Sequence, residues 1–279
     1  MKKERIINSV CICLTFRCDL ACRHCFVNSG PNRTEEMSYE EIKLAIDNSF
    51  MYVNRMYFSG GEVTVVKEKL LFAIKYAKDK KDRYGYPKNI CVQTNGNFAN
   101  SEKEAFKNLI EFYRAGANEI DITSNDSFHF EQMDSRKPKI VSQIANNMGV
   151  FDSVSIGGSE YKVVKMFGRA KSIDKKELDK YNESYISKCV LTESDIVIHP
   201  NGNILPCIYG FDNILGNIFK NELIDCLDNK ENKTILDKLH NKFNEFINYD
   251  KSFSCDICEY CNLKVKDYKN AINNLYKDI

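Results

Sequence analysis

Short apolar runs alternate with helix-period segments through the first 170 residues. Residues 10–15, 55–58, 90–94, 119–123, 153–156 and 161–166 are rich in Val, Ile, Phe, Tyr and Thr, as expected of strands. Between the first two, Ser38-Tyr-Glu-Glu41 reads as a capping box, followed by Ile42, Ala45, Ile46, Phe50 and Val53 at helical spacing. Ser101-Glu-Lys-Glu104 is a second box, opening a helix that ends near Gly116. A helix over 67–80 would bury Leu70, Leu71, Ile74 and Ala77, and another spans 138–148. Strand–helix alternation predicts an α/β fold with a parallel sheet and right-handed crossovers. Six strands are too few to close an eight-stranded barrel, so the expectation is a partial (β/α)6 TIM-like barrel with its reactive loops at the strands' C-terminal ends. Only Gly157-Gly158 and a few residues separate the last two strands, which predicts that the fifth helix is missing or displaced.

The pattern changes after residue 172. Residues 173–188 are charged and read as a linker or an exposed helix. Residues 196–198, the Asn-Gly of His199-Pro-Asn-Gly-Asn203, and residues 204–205 form a predicted β-hairpin. Helical segments follow at 221–229 and 233–247. The expected organisation is a barrel over 1–172, the linker, and a small C-terminal domain of a β-hairpin plus helices over 189–279.

Composition narrows the classes. Hydrophobic content of 43% fills a core, and a net charge of +1 supplies no basic face, so no nucleic acid and no membrane surface is expected as a partner. Met1 to Asn8 carries charge and no apolar signal core, which points to a cytoplasmic protein. In a reducing compartment, twelve cysteines point to metal rather than disulfides.

The chemistry starts directly after the first strand, at Cys18-Asp-Leu-Ala-Cys22-Arg-His-Cys25. A closed cubane takes four thiolates. Three from one loop leave one iron open to a small molecule. A zinc ion on the same thiolates plus His24 is the alternative, but His24 adjoins Cys25 and would have to fold back onto the ion. The CxxxCxxC spacing resembles the signature of the radical S-adenosylmethionine (radical SAM) enzymes. The resemblance implies a [4Fe-4S] cluster on Cys18, Cys22 and Cys25 whose open iron chelates S-adenosyl-L-methionine. Electron transfer then releases a 5′-deoxyadenosyl radical that takes a substrate hydrogen.

Further motifs follow the strands. Gly60-Gly61-Glu62 offers a close backbone approach to a ligand and a carboxylate for an ammonium, and is similar to the family's GGE motif, which binds the methionine amino group. An ordinary turn is the alternative. Gln93-Thr-Asn95-Gly96 resembles polar strand ends that line the cofactor side, or is an Asn-Gly turn. Ser124-Asn-Asp126 with Arg136 downstream resembles the peptide-modifying branch, where the serine meets the ribose or carboxylate and the arginine forks the carboxylate. An Asx turn and a surface arginine are the alternatives. His24 is given no proton-transfer role, and His129 reads as a structural hydrogen-bonder, with catalysis as the alternative. Gly168-Arg169-Ala170 either approaches the cofactor or is a surface helix start.

A second cysteine set comprises Cys189, Cys207, Cys255, Cys258 and Cys261. Its C, spacer, GxxxxC pattern resembles the SPASM/twitch extension of radical SAM enzymes. The resemblance implies one auxiliary [4Fe-4S] cluster on Cys189, Cys207, Cys255 and Cys258, with Cys261 as an extra ligand or hydrogen donor. A four-cysteine zinc site uses the same pairs. Cys226 reads as a small buried apolar residue, and Cys11, Cys13 and Cys91 as core. The expected substrate is a ribosomally made peptide, crosslinked, thioether-bridged or epimerised. The alternative is a small alcohol such as an aminocyclitol, and outside enzymes a zinc or iron–sulfur scaffold or electron carrier. An electron donor such as flavodoxin or ferredoxin is implied.

Overall fold

The computed structural model describes residues 7–157, 167–174, 177, 195–208 and 213–233. The strand expected at 161–166, nearly all of the 233–247 helix, and Cys189, Cys255, Cys258 and Cys261 lie outside these residues.

Five strands, β1 (Ile7–Thr15), β2 (Val53–Gly60), β3 (Asn89–Thr94), β4 (Glu119–Ile122) and β5 (Ser153–Ile156), pair in parallel in sequence order. Their crossovers carry α1 (Tyr39–Asp47), α2 (Lys67–Tyr84), α3 (Glu102–Ala115), α4 (Ser127–Phe130) and α5 (Arg136–Met148). On the far side of β1, β6 (Asp195–Ile198) pairs in parallel and continues antiparallel into β7 (Asn203–Leu205) and β8 (Gly216–Asn217). The hairpin therefore extends the barrel sheet, giving eight strands in an open order. The physical reason lies in β1, whose Val10, Ile12 and Leu14 are fully buried. Such a strand cannot be left as an edge.

Local chemistry sets the helix ends. Ser38 and Glu41 close the capping box reciprocally, at 3.2 and 2.7 Å. Helix α1 stops at Asp47, before the apolar period runs out. The Ser49 hydroxyl donates to the Ala45 carbonyl at 2.6 Å, and Phe50 starts a separate 3-10 turn. Helix α2 runs a turn past its expected end and closes on Gly85 at φ +79°. The helix expected at 221–229 appears as α6 (Leu223–Asp228), whose Leu223, Cys226 and Leu227 are buried; Cys226 is thus a core residue.

Alternation divides the sheet. Ile12, Met56, Phe58, Ile90, Val92, Ile120 and Ile122 pack under the helices, each contributing about 1.5–3 kcal/mol of burial. The opposite face, the inner face of the partial barrel, carries Cys11, Cys13, Tyr57, Ser59, Cys91, Gln93, Asp121 and Ser155. Barrel interiors are ordinarily packed with branched apolar side chains. This one is polar. No described helix is long and apolar enough to cross a membrane.

Candidate functional site

The site gathers at the C-terminal ends of β1 to β4. Beyond Thr15 the chain enters the cysteine loop, and Gly60 and Gly61 hold that entry. The Gly61 amide donates to the Thr15 carbonyl at 2.8 Å and the Glu62 amide to the Arg17 carbonyl at 3.0 Å. A Cβ on Gly60, at φ +145°, would lie 2.1 Å from the Thr15 oxygen, and one on Gly61 would lie 2.3 Å from the Arg17 oxygen. The glycines thus allow a close approach to the cysteine loop's own backbone. Gly61→Ala is expected to cost about 3 kcal/mol or more, because only backbone can yield. Thermal unfolding and iron content measure this together.

Glu62 also turns inward. It is 1% exposed, and burial pushes its carboxyl above the usual carboxylate range. Its Oε1 accepts from the Thr64 amide and hydroxyl and the Thr94 hydroxyl, and its Oε2 from the Asn95 amide at 2.6 Å. The side chain stitches β2 to β3, with Oε2 accepting the single bond from Asn95. Ser124, fully buried, donates to the Asn95 carbonyl at 2.5 Å and stitches β3 to β4 in the same way. Asn95 is the residue that faces the loop: its Nδ2 reaches Asp19 Oδ1 at 2.9 Å, beside Cys18. Asn97 adds a bond to Asp19 Oδ2 at 2.7 Å and is itself held by the Lys137 ammonium.

Asp126 caps α4, accepting the His129 amide at 3.0 Å and the His129 Nδ1 at 2.7 Å. Burial raises its carboxyl, but the His129 bond and the neighbouring imidazoles outweigh this and hold it below the usual range. His24 stacks on Phe128 with centroids 4.9 Å apart, and burial drops its pKa to about 4, so it is neutral. Arg136 is not brought to the site. Its side chain is 80% exposed and forks onto Asp134, with Nη2 at 2.6 Å. It opens α5 beside an acidic neighbour, which satisfies it in solvent.

Cys18 and Cys22 are buried and Cys25 is half-buried. Burial raises the Cys18 and Cys22 thiols, Cys22 to about 12, while Arg169 draws Cys22 the other way. Neutral buried thiols become ligands only when a metal supplies positive charge. One ion would draw its sulfurs to within about 4 Å of one another, at Zn–S of about 2.3 Å. The trio of candidate ligands that comes within 4.8 Å among the described residues is His24, Asp126 and His129, not the three cysteines. The three sulfurs do not all stand as close as a single zinc ion would draw them, and His24 faces Phe128 and Asp126. Cys207 is half-buried just past β7.

Sequence reasoning missed how the loop is anchored. Arg23 lies between Glu131 at 2.7 Å and Glu177 at 2.8 Å, and the Ala21 amide donates to Gln132 Oε1 at 2.7 Å. Asp19 and Arg23, the spacers between cysteines, were the available signal: charged residues inside a metal loop need partners.

Residues 12–136 match the family model described as the radical SAM superfamily, and residues 189–262 the SPASM model, an iron–sulfur cluster-binding domain. No curated protein matches by sequence. Among solved structures, BtrN in complex with AdoMet and 2-DOIA is similar, at 18% identity and TM-score 0.53, over 84% of this chain and 87% of that one. Native anSMEcpe with bound AdoMet is similar at 15% identity and TM-score 0.52, over 96% and 98%. The complex of anSMEcpe with AdoMet and Cp18Cys peptide gives 16% and 0.50, over 81% of each chain.

Proposed function

The chain belongs to the radical SAM superfamily and carries a SPASM iron–sulfur domain, and from that premise we propose that it takes a hydrogen atom from a small polyhydroxylated molecule, as a radical alcohol dehydrogenase. Bound at the open iron of the cluster, S-adenosylmethionine supplies the hydrogen-abstracting radical.

Cys18, Cys22 and Cys25 hold the cluster in this reading. Gly60, Gly61, Glu62, Ser124 and Asn95 frame the strand ends around it. His24 on Phe128 is a flat, uncharged shelf beside the third cysteine. Cys189, Cys207, Cys255 and Cys258 hold the auxiliary cluster, and Cys261 is its spare thiol.

One observation carries the substrate class. Cys13, Ser59, Gln93, Asp121 and Ser155 form a single register row across β1 to β5, on the inner face below the cysteine loop. Ser59 Oγ donates to Gln93 Oε1 at 2.5 Å, Gln93 Nε2 to Asp121 Oδ2 at 2.7 Å, and Ser155 Oγ to Asp121 Oδ1 at 2.6 Å. Among the described residues no cation pairs with Asp121. A row of amide, hydroxyl and carboxylate groups suits a ligand that donates many hydrogen bonds from a small frame. The pattern that favours a peptide in the sequence needs Arg136 beside Ser124 and Asp126, and Arg136 is 80% exposed on its neighbour Asp134.

The test incubates the reduced, reconstituted protein with S-adenosylmethionine and either polyols and aminocyclitols deuterated at carbon or short peptides. Deuterium in 5′-deoxyadenosine from the polyols supports the proposal. Transfer from peptides alone replaces it with peptide modification. Asp121→Asn is expected to lower kcat/KM for the polyol by about 10–100-fold, through roughly 1.5–3 kcal/mol of charged hydrogen bonding. Cofactor cleavage without substrate should be unchanged.

A further inference from the structure

Gly168 and Arg169 lie far from the cysteine loop in sequence and directly against it in space. Gly168 has φ +54°, and a Cβ there would stand 2.4 Å from the Phe26 oxygen and 2.5 Å from the Cys25 oxygen. The Arg169 amide donates to the Cys25 carbonyl at 3.0 Å, and its Nε donates to the Cys22 carbonyl at 2.9 Å. Two of the three cysteines are thus held by one residue. Its Nη2 is buried and has no hydrogen-bond partner among the described residues. A buried guanidinium nitrogen without an acceptor is costly, by about 1–3 kcal/mol or more. That cost needs an anionic counterpart.

The three-thiolate cluster is such a counterpart. Its iron and sulfide core carries two positive charges when oxidised and one when reduced, so with three thiolates it is an anion that gains a charge on reduction. Hydrogen bonds to its sulfurs and nearby charge set its potential. We propose that Arg169 is a positioning residue for this cluster: it clamps the Cys22 and Cys25 peptides and leaves Nη2 and its positive charge to stabilise the reduced form, raising the reduction potential. Arg33 does not duplicate it. Its Nη1 bonds the Val27 and Asn28 carbonyls and the rest of its fork is held by Glu35.

This inference rests on Cys22 and Cys25 being cluster ligands. Iron loss in Cys22→Ala checks that assignment separately. The test uses the full chain, reconstituted without oxygen. It follows the EPR signal of reduced cluster that S-adenosylmethionine perturbs, so the auxiliary cluster does not contribute. Arg169→Gln keeps an amide donor without charge; Arg169→Lys keeps the charge without the fork. Arg169→Gln should bind iron as the native chain does and shift to a more negative midpoint. At the native midpoint its ratio of reduced to oxidised cluster should fall by more than about tenfold, as for the loss of one charge within about 10 Å at an effective dielectric of about 20. Arg169→Lys should stay within about twofold of the native ratio by the same reasoning.

A native midpoint in Arg169→Gln, or equal shifts in both variants, overturns the proposal. Loss of iron from both also overturns it, since holding the loop would then suffice. If only Arg169→Gln fails to take iron, Arg169→Lys decides: a native midpoint supports the proposal and a shifted one overturns it.

Discussion

Cys22→Ala should leave a folded protein that no longer cleaves S-adenosylmethionine. Cys22 is 5% exposed and packs with Leu20 and Met133, so the loss of one sulfur removes little apolar contact. The loop around it is held from outside by Asp19, Arg23 and Arg169. Two thiolates cannot retain a cube that three hold with a corner open. Iron should fall from roughly eight to roughly four atoms per chain, if both sites are four-iron clusters. Formation of 5′-deoxyadenosine, followed by chromatography after reduction, should fall to that of a reaction without protein. Cleavage at the native rate would remove the ligand assignment, and loss of the native far-ultraviolet circular dichroism would mean the substitution acts on folding.

The barrel was legible because its signals are local. Capping residues, glycine stops and period switches place β1 to β5 and most helices within a turn, for the elements that the structure describes. The attachment of β6 to β1 was not legible. A hairpin reads the same whether it stands alone or extends a sheet, and the choice depends on which strand needs its edge covered. Helix α4 escaped because one turn, Ser127–Phe130, has no period; the Asp126 cap was its one trace.

The site divides on the same physical ground. The three cysteines are legible because a metal loop concentrates its ligands within a few residues. Glu62, Ser124 and Arg136 were placed by resemblance as cofactor contacts; Glu62 and Ser124 are directed by partners some 30 residues away, at Thr94 and Asn95, which local sequence does not reveal, while Arg136 turns to its neighbour Asp134 in solvent. Arg169 is the converse case. Nothing around it in the sequence tells a surface arginine from a clamp on a loop some 150 residues earlier.

Cys207→Ala should remove about as much iron as Cys22→Ala and have the opposite consequence. Leu205 pairs with Val197, and Val197 is level with Cys11. Strand β7 runs against β1, so Cys207 lies two residues beyond that level, toward the start of β1. Thr15, where the cysteine loop begins, lies four residues the other way. At about 3.3 Å per residue, Thr15 and the end of β7 at Leu205 are roughly 13 Å apart along the sheet, and Cys207 lies past that end. The polar row of Ser59, Gln93 and Asp121 falls between the two ends. Loss of the auxiliary cluster should therefore leave the first loop intact and cleavage within about threefold of native, as expected for sites with no shared partners. Turnover should fail. Under the proposed reaction, taking a hydrogen atom from a carbinol carbon leaves one proton and one electron to be removed before the carbonyl forms, and a cluster held by the SPASM domain would supply an acceptor for the electron. The expected signature is uncoupling: 5′-deoxyadenosine accumulates while the oxidised product drops to a small fraction of it, both read from one chromatogram. A coupled, native ratio of the two in Cys207→Ala would show that the second cluster takes no part in the oxidation.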